Sequence, residues 1–119
     1  MSAPSQKRRA ERIQPFVASC RYVVEGGQRV PAFMTDLSTH GARVHTDHQP
    51  PAQAAKIVVE VRLGKSPTHQ RIPATVVWSR PASRGGSVFG VSFEGAGGAE
   101  RAVLEDVVEE FRRRAAALE

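Results

Sequence analysis

The chain has 119 residues, enough for one domain, with 40% hydrophobic and 24% charged side chains; that balance excludes collagen-like and mainly disordered readings. Net charge is +5 and uneven: residues 1–98 hold 13 basic and six acidic side chains (net +7), whereas residues 99–119 hold four arginines and six acids (net −2). No apolar run approaches the ~20 residues of a membrane span, and the polar start MSAPSQKRRAER lacks the apolar stretch of a secretory signal. The single Cys20 has no partner for an internal disulfide, so the expected compartment is a reducing cytosol. A basic body favours an anionic partner: nucleotide, nucleic acid or anionic surface.

Residues 1–14 read as a flexible basic arm. After Pro15 the pattern turns to alternation, with Phe16, Ala18, Cys20, Tyr22 and Val24 on one face of a strand. Gly26-Gly27 reads as a hairpin turn, followed by a second strand from Arg29 to Thr35. Asp36–Gly41 is turn-like, and Ala42, Val44 and Thr46 resume alternation. Ile57, Val59, Val61 and Leu63 mark a half-buried strand; Gly64–Gln70 interrupts it. Ile72, Ala74, Val76 and Trp78 alternate next, which places Trp78 with the core face. Phe89, Val91 and Phe93 form the inward side of the last strand. About six short strands with turns between them predict a small antiparallel barrel or sandwich over residues 15–97. From residue 98 the period becomes 3.6. Val103, Leu104, Val107, Val108, Phe111 and Leu118 form one apolar stripe of a C-terminal amphipathic helix over 98–119.

No catalytic or metal signature stands out. Asp36, Ser38 and His40 are triad residue types, but residues so close in one turn do not form a nucleophile–base–orienter line. His40, His45, Asp47 and His48 match none of the common zinc spacings. No phosphate loop or dinucleotide fingerprint is present. The expectation is no catalytic residue, no metal and no cofactor.

Two clusters carry more. In Lys7-Arg8-Arg9-Ala10-Glu11-Arg12, Arg8 and Arg12 are four apart; in a helical or turn-like stretch both guanidiniums face one way. Arg donates paired hydrogen bonds to phosphate or to guanine O6 and N7; the plainer reading is a solvated basic tail. In Asp36-Leu37-Ser38-Thr39-His40-Gly41, the Asp36 carboxylate complements the N1–H and N2–H₂ donors of guanine. Ser38 can donate to a phosphate oxygen, and Gly41 permits a positive φ or a close backbone approach. The plainer reading here is an Asx-type turn.

In this order the clusters resemble the PilZ domain family: RxxxR as Arg8…Arg12, then DxSxxG as Asp36…Ser38…Gly41. GARV at Gly41–Val44, TVVWSR at Thr75–Arg80 and FGVSF at Phe89–Phe93 resemble later strands of that family. The resemblance spans about residues 7–95. It implies a mainly β fold, a six-stranded antiparallel β-barrel with a helix beside it, and a bacterial receptor for cyclic di-GMP. Arg8 and Arg12 would hold phosphates and guanine edges, Asp36 and Ser38 would contact a guanine and its phosphate, and Gly41 would shape the turn. Lys7, Arg9 and Trp78 form a second tier. Lys7 stands where many relatives have a further Arg, and Trp78 lies where some place an aromatic ring against guanine.

The resulting expectation is a non-enzymatic cyclic di-GMP receptor, cytoplasmic, acting through a downstream protein, without DNA binding or membrane insertion. One alternative is a PilZ-like interaction module that binds no nucleotide. Another is a small basic barrel for single-stranded nucleic acid, which would want exposed aromatics for base stacking; alternation buries most of the seven present.

Overall fold

A computed structural model describes residues 18–62, 68–83 and 85–117. Arg8, Arg12, Lys7 and Arg9, with the proposed arm, lie outside the described residues, as do Phe16, Leu63 and Leu118. Six strands form: β1 (Ala18–Val24), β2 (Arg29–Leu37), β3 (Gly41–Thr46), β4 (Lys56–Arg62), β5 (His69–Pro81) and β6 (Ser87–Ser92). Helix α1 (Ala99–Ala117) follows. All strand pairs are antiparallel, and the sheet closes in the order β1-β2-β3-β6-β5-β4. Closure leaves no strand edge open to another chain.

The period of two sends Tyr22, Met34, Val44, Val59, Ile72, Val76 and Phe89 into the barrel, each nearly solvent-free. Tyr22 meets Phe89 edge to face, ring centroids 5.2 Å apart. Helix α1 contributes Leu104, Val107, Val108 and Phe111 to the same core, four members of the expected stripe. Cys20 is a free thiol on the partly buried inner side, and burial pushes its pKa up to about 12.

One expectation is corrected here. The second strand does not stop at Thr35: Asp36 and Leu37 still pair with Arg43 and Ala42 of β3, so Asp36 belongs to a strand rather than a turn. On the outer side of β4 a charged residue is buried. Glu60 is 1% exposed. It faces outward between its register partners Arg21 on β1 and Arg71 on β5. Arg21 Nε donates to Glu60 Oε1 at 2.5 Å, Arg29 Nε to the same oxygen at 3.0 Å, and Arg71 Nη1 to Oε2. Burial alone would push the Glu60 carboxyl up. The hydrogen bonds and charges of Arg21 and Arg29 outweigh it, and its pKa falls below the ordinary 4.5.

A carboxyl whose pKa is lower in the folded chain stabilises the fold above its unfolded pKa, and that contribution is lost as pH falls through the folded value. Glu60→Gln keeps the shape and removes the charge that three guanidiniums share. Chemical denaturation at pH 7 is expected to show a loss of about 1.5–3 kcal/mol, the worth of hydrogen bonds to a charged group. The gap between wild type and variant should narrow as pH drops below 4.5; a pH-independent gap would assign Glu60 a packing role instead.

Candidate functional site

Strict alternation would send Asp36 and Trp78 into the core. Each instead follows an extra residue. The β2–β3 register shifts between Met34 and Asp36, and the β5–β6 register shifts between Val76 and Trp78. Thr35 and Val77 are the extra residues of two β-bulges, which turn the next side chain to the other side of the wall. Met34 and Val76 stay inside, whereas Asp36 pairs with outward Arg43 and Trp78 with outward Gly90. Arg43 and Gly90 are themselves partners across β3 and β6. One row therefore crosses the outer face of four adjacent strands: Asp36, Arg43, Gly90, Trp78. The core placement of Trp78 is thus overturned; its ring lies flat on Gly90, where any Cβ would overlap the indole. The row lines a depression of about 520 Å³.

The next row along the strands is Phe33, His45, Val88 and Arg80. Phe33 is 39% exposed and stacks on His45, centroids 4.9 Å apart and planes 8° from parallel. The Arg80 guanidinium sits 4.6 Å from the Trp78 ring centroid, a cation–π contact that fixes both groups. Burial pushes the His45 imidazole below its usual range, and the charges of Arg43 and Arg80 push the same way. The face thus carries the guanidiniums of Arg43 and Arg80, a flat ring at each end, and two carboxylates, Asp36, 4% exposed, and Glu94 at the border of the depression. It offers an acceptor for N–H donors, guanidiniums for anionic oxygens, and aromatic surface for a planar base.

Residues 38–40 form the turn that ends this face. Ser38 N–H donates to Gly41 O at 2.9 Å, and Ser38 Oγ accepts from the backbone N–H groups of His40 and Gly41 at 3.1 and 3.3 Å. Ser38 is buried and its oxygen organises the turn. Gly41 is required for close approach, not for a positive φ: a Cβ there would run into the Val91 carbonyl. The imidazole of His40 faces Glu94 at 3.6 Å rather than Ser38, so the three triad types are not brought together.

Arg101 was invisible to sequence reasoning. From the first turns of α1 it donates to Thr39 O at 2.7 Å and to Phe93 O at 3.0 Å. It ties the helix to the turn beside Asp36. Phe33, Arg43 and Arg80 were likewise not singled out, and His45 was weighed only as a metal ligand. Only the barrel register brings them to the same face as Asp36 and Trp78. Among the described residues, no three His, Cys, Asp or Glu side chains gather as a metal site.

A closed six-stranded barrel with an aromatic-flanked outer face beside a Ser-organised turn, and a helix packed on its core, defines a class of small β-barrel modules. The family model of the PilZ domain matches residues 6–110, and the chain belongs to that family. Among solved structures, it is similar to the PilZ domain of YcgR from Escherichia coli, described with c-di-GMP: TM-score 0.67, 16% identity, 94% of this chain and 96% of that one covered. It also resembles the inhibitor of motility MotI/DgrA of Bacillus subtilis (TM-score 0.63, 16% identity, 93% of this chain, 53% of that one). A third similar structure is the PilZ domain of CeSA from a cellulose-synthesizing bacterium (TM-score 0.63, 18% identity, 83% and 95% covered). At such identities these structures share the fold. Comparison with curated proteins gives no match.

The two glycines should respond differently to alanine. In Gly90→Ala the obstacle is a side chain that can swing away, so the fold should persist while the emission of Trp78, the single tryptophan, shifts to longer wavelength. In Gly41→Ala the obstacle is backbone, and thermal unfolding should show a clear loss of stability. Unchanged emission from Gly90→Ala would show that Trp78 does not depend on the bare backbone beneath it.

Proposed function

We propose that this chain is a cyclic di-GMP receptor, not an enzyme, which works in the bacterial cytosol and passes its signal to a partner protein. The observation that carries the reading is the outer row in which two bulges align Asp36, Arg43 and Trp78. Asp36 accepts from the N1–H and N2–H₂ of a guanine. Arg43 supplies charge for a phosphodiester, and Trp78 supplies a flat surface for the base.

Arg8 and Arg12 complete the site in this reading. β1 starts at Ala18, whose register partner is Met34, two residues from Asp36. β1 therefore begins at the end of the barrel where Asp36 lies. Arg12 is six residues from Ala18, a reach of up to about 20 Å in extended chain, so both arginines can close over a ligand held on the row. Lys7 and Arg9 add charge beside them. Ser38 and Gly41 act by shaping the turn that presents Asp36, and Ser38 keeps a hydroxyl proton to donate. The similarity to the YcgR PilZ domain, described with c-di-GMP, supports this ligand.

Calorimetric titration tests the proposal, with cyclic di-AMP and GTP as controls. Cyclic di-GMP should bind and cyclic di-AMP should not, because adenine offers Asp36 neither an N1–H nor an N2 amine. Arg8→Ala and Arg12→Ala should each cost roughly 1.5–3 kcal/mol, about tenfold to a hundredfold in affinity. Trp78 emission should change with the same midpoint. Equal affinity for the two cyclic dinucleotides would remove guanine reading from Asp36, and no heat with either would remove the receptor function.

A further inference from the structure

The face across the barrel from this row has its own chemistry. β1 and β4 are neighbours and lie opposite β3 and β6 in the closed order. Their outward side chains form two adjacent rows. One runs Arg21, Glu60, Arg71; the other runs Arg29, Val23, Val58, Pro73. Glu60 is buried beneath three guanidiniums whose side chains remain 34%, 55% and 55% exposed. Each is bonded to Glu60 through one nitrogen, which leaves further N–H donors on every one of them. The cluster carries three positive charges on one negative, a net +2, with geometry fixed by the shared carboxylate. Beside it, half-buried Val23, Val58 and Pro73 floor a groove of about 460 Å³. The far border of the groove holds Glu25 and Lys56.

We infer that this face is a docking surface for a partner protein, which it takes by a segment with acidic side chains flanking one or two apolar ones. The acids bind the free guanidinium edges of Arg21, Arg29 and Arg71, and the apolar side chains fill the groove over Val58. The choice of occupant rests on the mixed chemistry of the patch. A nucleic-acid strand or polyphosphate would gain nothing from the apolar row, whereas a protein segment can match both the guanidiniums and the apolar floor. A closed barrel has no free edge for strand addition, so recognition runs through side chains. The inference rests on the receptor reading above only for its meaning as an output surface; the surface itself is independent of the nucleotide.

The test is an NMR titration of the isotope-labelled full chain, without nucleotide, against a short acetylated peptide of the pattern Asp-Glu-Val-Leu-Glu-Asp. Its Asn/Gln counterpart and an oligothymidylate serve as comparison probes. Shifts are expected at Arg21, Val23, Val58 and Arg71, from the acidic peptide alone. Arg29→Gln/Arg71→Gln leaves Arg21 on Glu60 and should weaken binding about tenfold or more. Val58→Glu, which spares the arginines and puts a like charge in the groove, should do the same and carries the test if the double variant does not fold. Shifts on the Asp36 face instead, equal binding of the uncharged peptide, displacement by oligothymidylate, or full affinity in Val58→Glu would each overturn the inference. Calorimetry of the wild-type chain with cyclic di-GMP, set beside its peptide titration, separates the two readings. Nucleotide binding without peptide binding rejects the docking surface alone, and peptide binding without nucleotide binding rejects the receptor alone.

Discussion

Side chains on a strand alternate sides, and a single extra residue inverts everything after it. Thr35 in β2 and Val77 in β5 are such residues, and the outer face depends on both. Without the first, the Asp36 carboxylate would point into a core of Met34, Val44 and Phe89, where an unpaired charge is untenable. Without the second, Trp78 would enter the space that Val76 and Val91 already fill. The bulges sit on strands separated by β3 and β6, so the carboxylate and the indole end up at opposite ends of one row. Between them Gly90 supplies bare backbone for the indole to lie on, and Arg43 supplies charge.

The turn beside the row is held as tightly. Ser38 satisfies two backbone N–H groups, Gly41 lets β3 approach β6, and Arg101 takes Thr39 O and Phe93 O together. Helix α1 is thereby more than a lid on the core. Its Leu104 and Val107 anchor it inside, and its Arg101 holds the loop that follows Asp36. Pre-organisation of this kind reduces the ordering cost of binding, which otherwise consumes contact energy.

The strands, their inward faces and the helix were legible because period two and period 3.6 are local signals. Tyr22, Val44, Val59, Ile72 and Phe89 read as core from spacing alone, and they are. The end of β2 and the side of Trp78 were misread for one reason. A bulge leaves no mark in an alternation of residue types, so its presence is known only from the partner strand. The burial of Glu60 could not be read from the sequence because its three arginines are 39, 31 and 11 positions away. Arg43 and Arg80 were passed over because an isolated basic residue on a strand carries no information until its cross-strand neighbours are known. The motif residues Asp36, Ser38 and Gly41 were singled out by their order along the chain, and only the geometry separates them: Asp36 lies on the outer row, whereas Ser38 and Gly41 build the turn beside it.

Two charged faces on opposite walls of one small barrel raise the question of how one would sense the other. The shortest principal extent of the molecule is 26 Å, well beyond the ~8–10 Å over which salt screens exposed charges. Two negative charges arriving on the Asp36 row therefore change little at Arg21 and Arg71 through space. The core between is close-packed. A covalent route is open to the proposed receptor. β1 carries Arg21 in the three-arginine cluster, and Arg8 and Arg12 precede the same strand in sequence. Capture of those arginines by a ligand on one face would fix the approach to β1 while the other face keeps its charge. In such an arrangement the nucleotide would change what surrounds the proposed docking surface, with no rearrangement of the barrel required.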